Sequence, residues 1–138
     1  MNDDRYEDLY EEYILPHFED PYNKLLIQAP TCQHSARNPL CGDTVTLQLI
    51  IGDDNKIEKA CFDGNGCAIS QAGASILCEK IEGMTVEELE SFSAEQMLEL
   101  LKVPLTSTRQ RCGLLGFKVL KTILYSRDGE KLSASTES

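Results

Sequence analysis

Two alternating segments, Thr44 to Ile51 (TVTLQLII) and Lys56 to Phe62 (KIEKACF), are separated only by Gly52-Asp53-Asp54-Asn55. Alternation of apolar and polar residues is the mark of a strand with one buried face. Four residues of turn composition can return a strand antiparallel to the first, whereas a parallel return needs a crossover of a dozen or more. The spacing therefore predicts a β-hairpin with one apolar face that other elements have to cover. Upstream, Pro30 confines the stretch around residues 31 to 37 to an edge strand, because proline donates nothing to a ladder.

The covering elements follow directly. After the glycines of DGNG the period changes, and residues 67 to 82 (CAISQAGASILCEKIE) place Ile69, Ala72, Gly73 and Ile76 on one side of an Ala-rich helix able to approach a sheet closely. Gly83 closes it. Thr85 to Glu88 and Ser93 to Gln96 match the capping box and predict two short helices. A last helix runs from about Arg109, with Leu114, Leu115, Phe117, Val119, Leu120, Ile123 and Leu124 as its apolar positions, and Cys112 falls in its first turn. At the other end, residues 4 to 15 (DRYEDLYEEYIL) form an amphipathic first helix that Pro16 ends. The expected fold is α+β: a small three-stranded antiparallel sheet, helices on one face, and an N-terminal helix. With 138 residues and 41% hydrophobic content, one domain over residues 1–125 is expected, followed by a polar, disordered tail over 126–138.

Charge and composition narrow the function. Thirteen basic residues against 23 acidic give a net charge of −10, a field that repels nucleic acid and anionic membranes. The N-terminus lacks the order of a secretory signal, and no run reaches the roughly 18 apolar residues of a membrane span. The expectation is a soluble, cytoplasmic protein. In a reducing compartment its six cysteines are thiols or metal ligands rather than a disulfide framework. Cys61 and Cys78 sit in apolar patterns and read as core residues, and Cys32 lies on the edge strand. His17 and His34 are isolated, the usual setting of a structural histidine.

The remaining three cysteines lie at element ends: Cys41 in the turn before the second strand, Cys67 at the start of the Ala-rich helix, and Cys112 in the first turn of the last helix. A thiol at a helix N-terminus meets free amides and the positive end of the dipole, which favour the thiolate used in nucleophilic attack or metal binding. Arg109 and Arg111 act in the same direction at Cys112. Gly42, Gly64 and Gly66 let the backbone turn sharply near the first two sulfurs. Three thiolates with Asp43 as an oxygen donor would suit tetrahedral zinc. The intervals of 26 and 45 residues match no common zinc-finger spacing, and Asp43 could equally cap its turn.

In this order, NPLCGD (38–43), DGNGCAISQAGAS (63–75) and RQRC (109–112) resemble the SufU/IscU/NifU N-terminal family of iron–sulfur assembly proteins, over about residues 5–125. The resemblance implies that Cys41, Asp43, Cys67 and Cys112 surround a zinc ion or a nascent cluster. IscU-like members carry a histidine before the last cysteine and a Pro-Pro-Val-Lys stretch upstream. Here Arg111 takes the histidine's place and LKVPLTST stands upstream. Arg109 matches the arginine that SufU-like members carry three residues before that cysteine, yet the 45-residue interval lacks the usual SufU insertion.

What the resemblance further implies is a SufS-like cysteine desulfurase as partner, whose persulfide is attacked by a thiolate of this chain, with Cys41 the first candidate acceptor and Cys112 the second. Downstream iron–sulfur carrier or assembly proteins would follow. The implied cofactor is zinc, which would make the protein a zinc-dependent sulfurtransferase. The alternative is a scaffold for a [2Fe–2S] cluster at the same residues, with iron in place of zinc. An ordinary cysteine-nucleophile enzyme is a poor third reading, because it needs a general base and only two histidines are available.

Overall fold

The structure, a computed structural model, describes residues 7–39 and 42–137, with side chains as far as Ser126. Three strands, β1 (Cys32–Arg37), β2 (Thr44–Ile51) and β3 (Ile57–Asn65), form one antiparallel sheet in the order β1-β2-β3. The hairpin is the one the alternation predicts, closed by Gly52 N–H to Lys56 O at 2.8 Å. Strand β3 runs three residues beyond Phe62. Gly64 pairs with Val45, and a side chain there would meet Thr44 O at 2.1 Å, so only glycine lets the ladder continue to the site.

One face of the sheet is apolar. Val45, Leu47 and Leu49 share it with Ala60 and Phe62, through the register Leu47↔Phe62 and Leu49↔Ala60, and all five are fully buried. Helix α1 (Leu15–Glu19) precedes the sheet; α2 (Ala68–Ile81), α3 (Val86–Ser91), α4 (Ala94–Leu101), α5 (Ser107–Gly113) and α6 (Leu115–Glu137) follow it. Helix α2 covers β3, and α6 covers β1 and β2. On the opposite face Gln48 is buried by a strap: its amide bonds Ile27 N at 2.7 Å and Ile27 O at 3.1 Å, and Cys61 Sγ lies 3.5 Å from its Oε1. Burial pushes the Cys61 thiol up, and the Cys78 thiol further still.

Both capping boxes are present, with Thr85 and Ser93 accepting from the amides of Glu88 and Gln96, each of which returns a bond. The bonds from Thr85 hold the Glu88 carboxyl below its usual range. Two expectations are corrected. Pro16 does not end the first helix: a π-helical turn over Tyr10–Ile14, with Leu15 N–H bonded to Tyr10 O, widens the backbone ahead of the proline, which then sits in the first turn of α1. The last helix is two helices, since Thr106 caps α5 and the chain turns at Leu114 before α6. The backbone of α6 is described as far as Glu137.

Helix α2 is the middle layer. Every residue from Ile69 to Cys78 is buried, so the stripe expected to face the sheet is only part of an all-round interior surface. The π-helical turn and α1 lie on its outer side, where His17 Nδ1 is 2.8 Å from Ser75 Oγ. On another side α2 meets α5 backbone to backbone: a Cβ on Gly73 would lie 2.7 Å from Gly113 O. This contact sits beside Cys112. Gly73→Ala is expected to lower stability by about 1–3 kcal/mol through overpacking. In urea denaturation the midpoint should fall with little change in slope, whereas an unchanged midpoint would mean that the helices separate without cost.

Candidate metal centre

The turn before β2 is drawn tight by two backbone bonds, Asn38 N–H to Asp43 O at 2.8 Å and Gly42 N–H to Asn38 O at 2.7 Å. Gly42 has φ +72°, in the left-handed region, and the space where a side chain would stand is open. Leu40 and Cys41 lie outside the described residues, so the first candidate ligand and acceptor has no described position. The turn delivers Asp43, 1% exposed, beside the end of β3. There Gly66 has φ +144°, and a Cβ on it would stand 2.2 Å from Asp43 Oδ1. The glycine leaves room for the carboxylate.

Cys67 follows as the N-cap of α2, with its sulfur 3.5 Å from the amide of Ser70. Asp43 bridges to it twice: Cys67 N–H donates to Oδ1 at 2.9 Å, and the Cys67 thiol donates to Oδ2 at 3.4 Å. Cys112 comes from α5. One donor atom each from Asp43, Cys67 and Cys112 lies within 4.8 Å of the others, although the residues are 24 and 45 positions apart in sequence. Cys67 is exposed and Cys112 is buried.

The setting of Cys112 differs from the expected one. It lies in the last turn of α5 rather than the first turn of a final helix, because Thr106 starts that helix earlier. The helix-dipole argument therefore applies to Cys67 and not to Cys112. What Cys112 receives instead is an amide: Asn38 Nδ2 is 3.8 Å from its sulfur. Asn38 is a site residue that the sequence reading passed over. It stood inside the quoted NPLCGD, and its near-complete burial between two backbone bonds and a sulfur is a tertiary fact that no local pattern carries.

Cys67, Cys112 and Arg109 open on a cleft of about 500 Å³, whose other walls include Tyr10, Leu15 and Ile69, with Glu7 and Glu11 at its rim. His17 is tied to Ser75, and His34 is exposed on the edge strand. Among the described residues neither joins Asp43, Cys67 and Cys112 as a candidate ligand.

The donor set fits a zinc ion. Thiolates at about 2.3 Å from tetrahedral zinc stand about 3.8 Å apart, so a group already within 4.8 Å needs only a small contraction. The thiol proton between Cys67 and Asp43 marks where a dication would take over, since metal binding displaces such protons. Two sulfurs and one carboxylate leave a fourth position, and Cys41 stands two residues before Asp43 in the sequence.

Residues 9–131 match the NifU-like N terminal domain family. The iron–sulfur cluster assembly scaffold protein IscU of Thermotoga maritima is 34% identical over 132 residues, covering 84% of this chain and 92% of that protein. The zinc-dependent sulfurtransferase SufU of Bacillus subtilis is 35% identical over 85 residues, which cover 62% of this chain and 56% of that protein. Among solved structures, a putative iron–sulfur cluster assembly scaffold for the SUF system from Fervidobacterium islandicum superposes with a TM-score of 0.70 at 29% identity, covering 84% of this chain and 96% of that one. The order of strands and helices, the three clustered donors and the match over residues 9–131 agree, and the chain belongs to the NifU-like N-terminal domain family.

Proposed function

We propose that this chain serves iron–sulfur cluster assembly by accepting persulfide sulfur from a cysteine desulfurase at a zinc held by Cys41, Asp43, Cys67 and Cys112. The observation that carries the reading is the convergence of Asp43, Cys67 and Cys112, with both sulfur residues lining one cleft. Zinc, when bound, supplies the Lewis acidity that strips the thiol protons at neutral pH. The rest of the chemistry belongs to the chain. An acceptor thiolate attacks the outer sulfur of the desulfurase persulfide, a new S–S bond forms as the old one breaks, and the desulfurase cysteine leaves as its thiolate. No net oxidation occurs.

The roles follow from the surroundings. Cys67 is the anchored ligand, since Asp43 and the Ser70 amide both hold it. Cys41 is the first candidate acceptor, because the adjoining Gly42 has open space around it. Cys112, 5% exposed, is second and is reached through the cleft beside Arg109. Asp43 is the hard oxygen among soft sulfurs and so the exchangeable ligand. A cytoplasmic location goes with this chemistry.

A scaffold that builds a [2Fe–2S] cluster at the same residues is favoured by one observation. The relatives named as IscU scaffolds match over nearly their whole length, up to 98%, whereas the sulfurtransferase is matched over 56% of its own. Anaerobic purification followed by metal and sulfide analysis separates the readings: one tightly held zinc supports transfer, and iron with acid-labile sulfide supports the scaffold.

Three outcomes are expected from the transfer reading. Removing zinc with a chelator should lower the melting temperature by roughly 5 °C or more, since the site ties the β1–β2 turn to α2 and α5. An apo form that melts with the holo form would uncouple the site from the fold. Asp43→Asn keeps an oxygen for the Cys67 amide while removing the charge, so acceptance of labelled sulfur should fall by about tenfold or more with zinc still stoichiometric. Loss of the zinc would instead make Asp43 an essential ligand. Cys41→Ser and Cys112→Ser should each abolish acceptance, while Cys61→Ser and Cys78→Ser, at fully buried positions, should change stability alone. Full acceptance by both of the first pair would rule out the route.

A further inference from the structure

A second cleft, of about 340 Å³, is lined by Ala36, Arg37, Asn38, Arg111, Leu115 and Lys118, together with Pro39. Its charge is anomalous. The chain carries 23 acidic residues against 13 basic ones, yet three cations border this one cavity and, among the described residues, no carboxylate lines it. Arg37, Arg111 and Lys118 are exposed, and among the described residues none of them is held in an ion pair. Three elements supply them: β1 ends in Arg37, α5 carries Arg111, and α6 carries Lys118. Like charges brought together from separate elements repel, and chance would leave them near some of the many carboxylates.

We propose that this cleft binds a small polyanion, a molecule with two or more carboxylate or phosphate groups. Arg37 and Arg111 offer planar forks suited to bidentate oxygen pairs, and Lys118 adds a point charge. Ala36, Pro39 and Leu115 give an apolar wall for a short carbon chain. The volume lies at the small end of ligand sites, which suits a molecule and excludes a folded domain. The net charge of −10 disfavours anions over the surface as a whole, which makes a cleft bordered by three cations the favoured place for one.

The cleft is also joined to the sulfur site. Asn38 lines it and directs Nδ2 to Cys112 Sγ at 3.8 Å, and Arg111 precedes Cys112 in the chain. An anion that draws Arg111 or Asn38 toward itself changes the field at that sulfur. Binding does not depend on the sulfur-transfer reading, and it can be measured where transfer fails.

The test is a titration of the purified full chain, at low salt, with tricarballylate as the tricarboxylate probe and inorganic phosphate as the second, followed by amide chemical shifts. Saturable shifts at Ala36, Asn38, Lys118 and Cys112 are expected, weakening as salt is raised. Tighter binding of tricarballylate identifies a polycarboxylate as the source, and tighter binding of phosphate identifies a phosphorylated one; either supports the site. Arg37→Glu with Lys118→Glu, two exposed changes, should weaken binding at least about tenfold. Lys80→Glu, away from the cleft, should leave it unchanged. Non-saturating shifts spread over all basic residues, or undiminished binding by the double variant, would overturn the proposal.

Discussion

The backbone contact between Gly73 and Gly113 sets the distance on which the rest of the site depends. Helix α2 is buried on every side, and a helix in that position is limited by the size of its own side chains. Alanine, glycine and serine let α5 come within van der Waals contact of its backbone. At Gly113 a side chain would meet Leu101 Cδ1 at 2.7 Å and Ile69 Cγ2 at 3.4 Å, so the crossing is closed from both helices. Cys112 precedes that glycine and Cys67 caps the helix it touches. The packing that fills the core is therefore the packing that brings two sulfurs together.

The layer outside α2 is held by polar groups rather than by size. Ser75, buried in the middle of the helix, accepts from Tyr22 N–H at 2.7 Å and bonds His17. Glu82 finishes the attachment: its carboxylate takes the hydroxyl of Tyr22, the amide of Asn23 at 3.0 Å and the backbone N–H of Ala60 at 2.9 Å. The bond to Glu82 raises the Tyr22 phenol. A chain this acidic gains when a carboxylate receives three donors at once, because each donor offsets repulsion that the remaining acids impose.

The hairpin, the edge strand, both capping boxes and the cap position of Cys67 were legible because each is written in neighbouring residues. Alternation gave β2 and β3, and Thr85 and Ser93 marked their own helices. What was not legible is what depends on distant partners. Apolar spacing did not record the split of the last helix at Leu114, and the earlier start at Thr106 moved Cys112 from a helix start to a helix end. The π-helical turn before Pro16 is a backbone solution that apolar spacing does not record. In the site, the chemistry of Asp43 and the cysteines could be named from residue type and family likeness. The part played by Asn38 could not, since its bond to Cys112 spans 74 positions.

Asp43 shows how such a centre can be ready before its ion arrives. A carboxylate 1% exposed is stable only with donors, and here it has the Cys67 amide and the Cys67 thiol. If that thiol loses its proton, a carboxylate and a thiolate face each other across 3.4 Å, and the repulsion falls away only when a cation lies between them. The proton and the dication thus hold the same atoms in the same place. The turn carrying Asp43 is already fixed by Asn38, so a dication taking the proton's place would need a contraction at the donors and no refolding of the loop. A donor set organised in this way would take up or give back an ion with little movement of the chain, which suits the acceptor site proposed above.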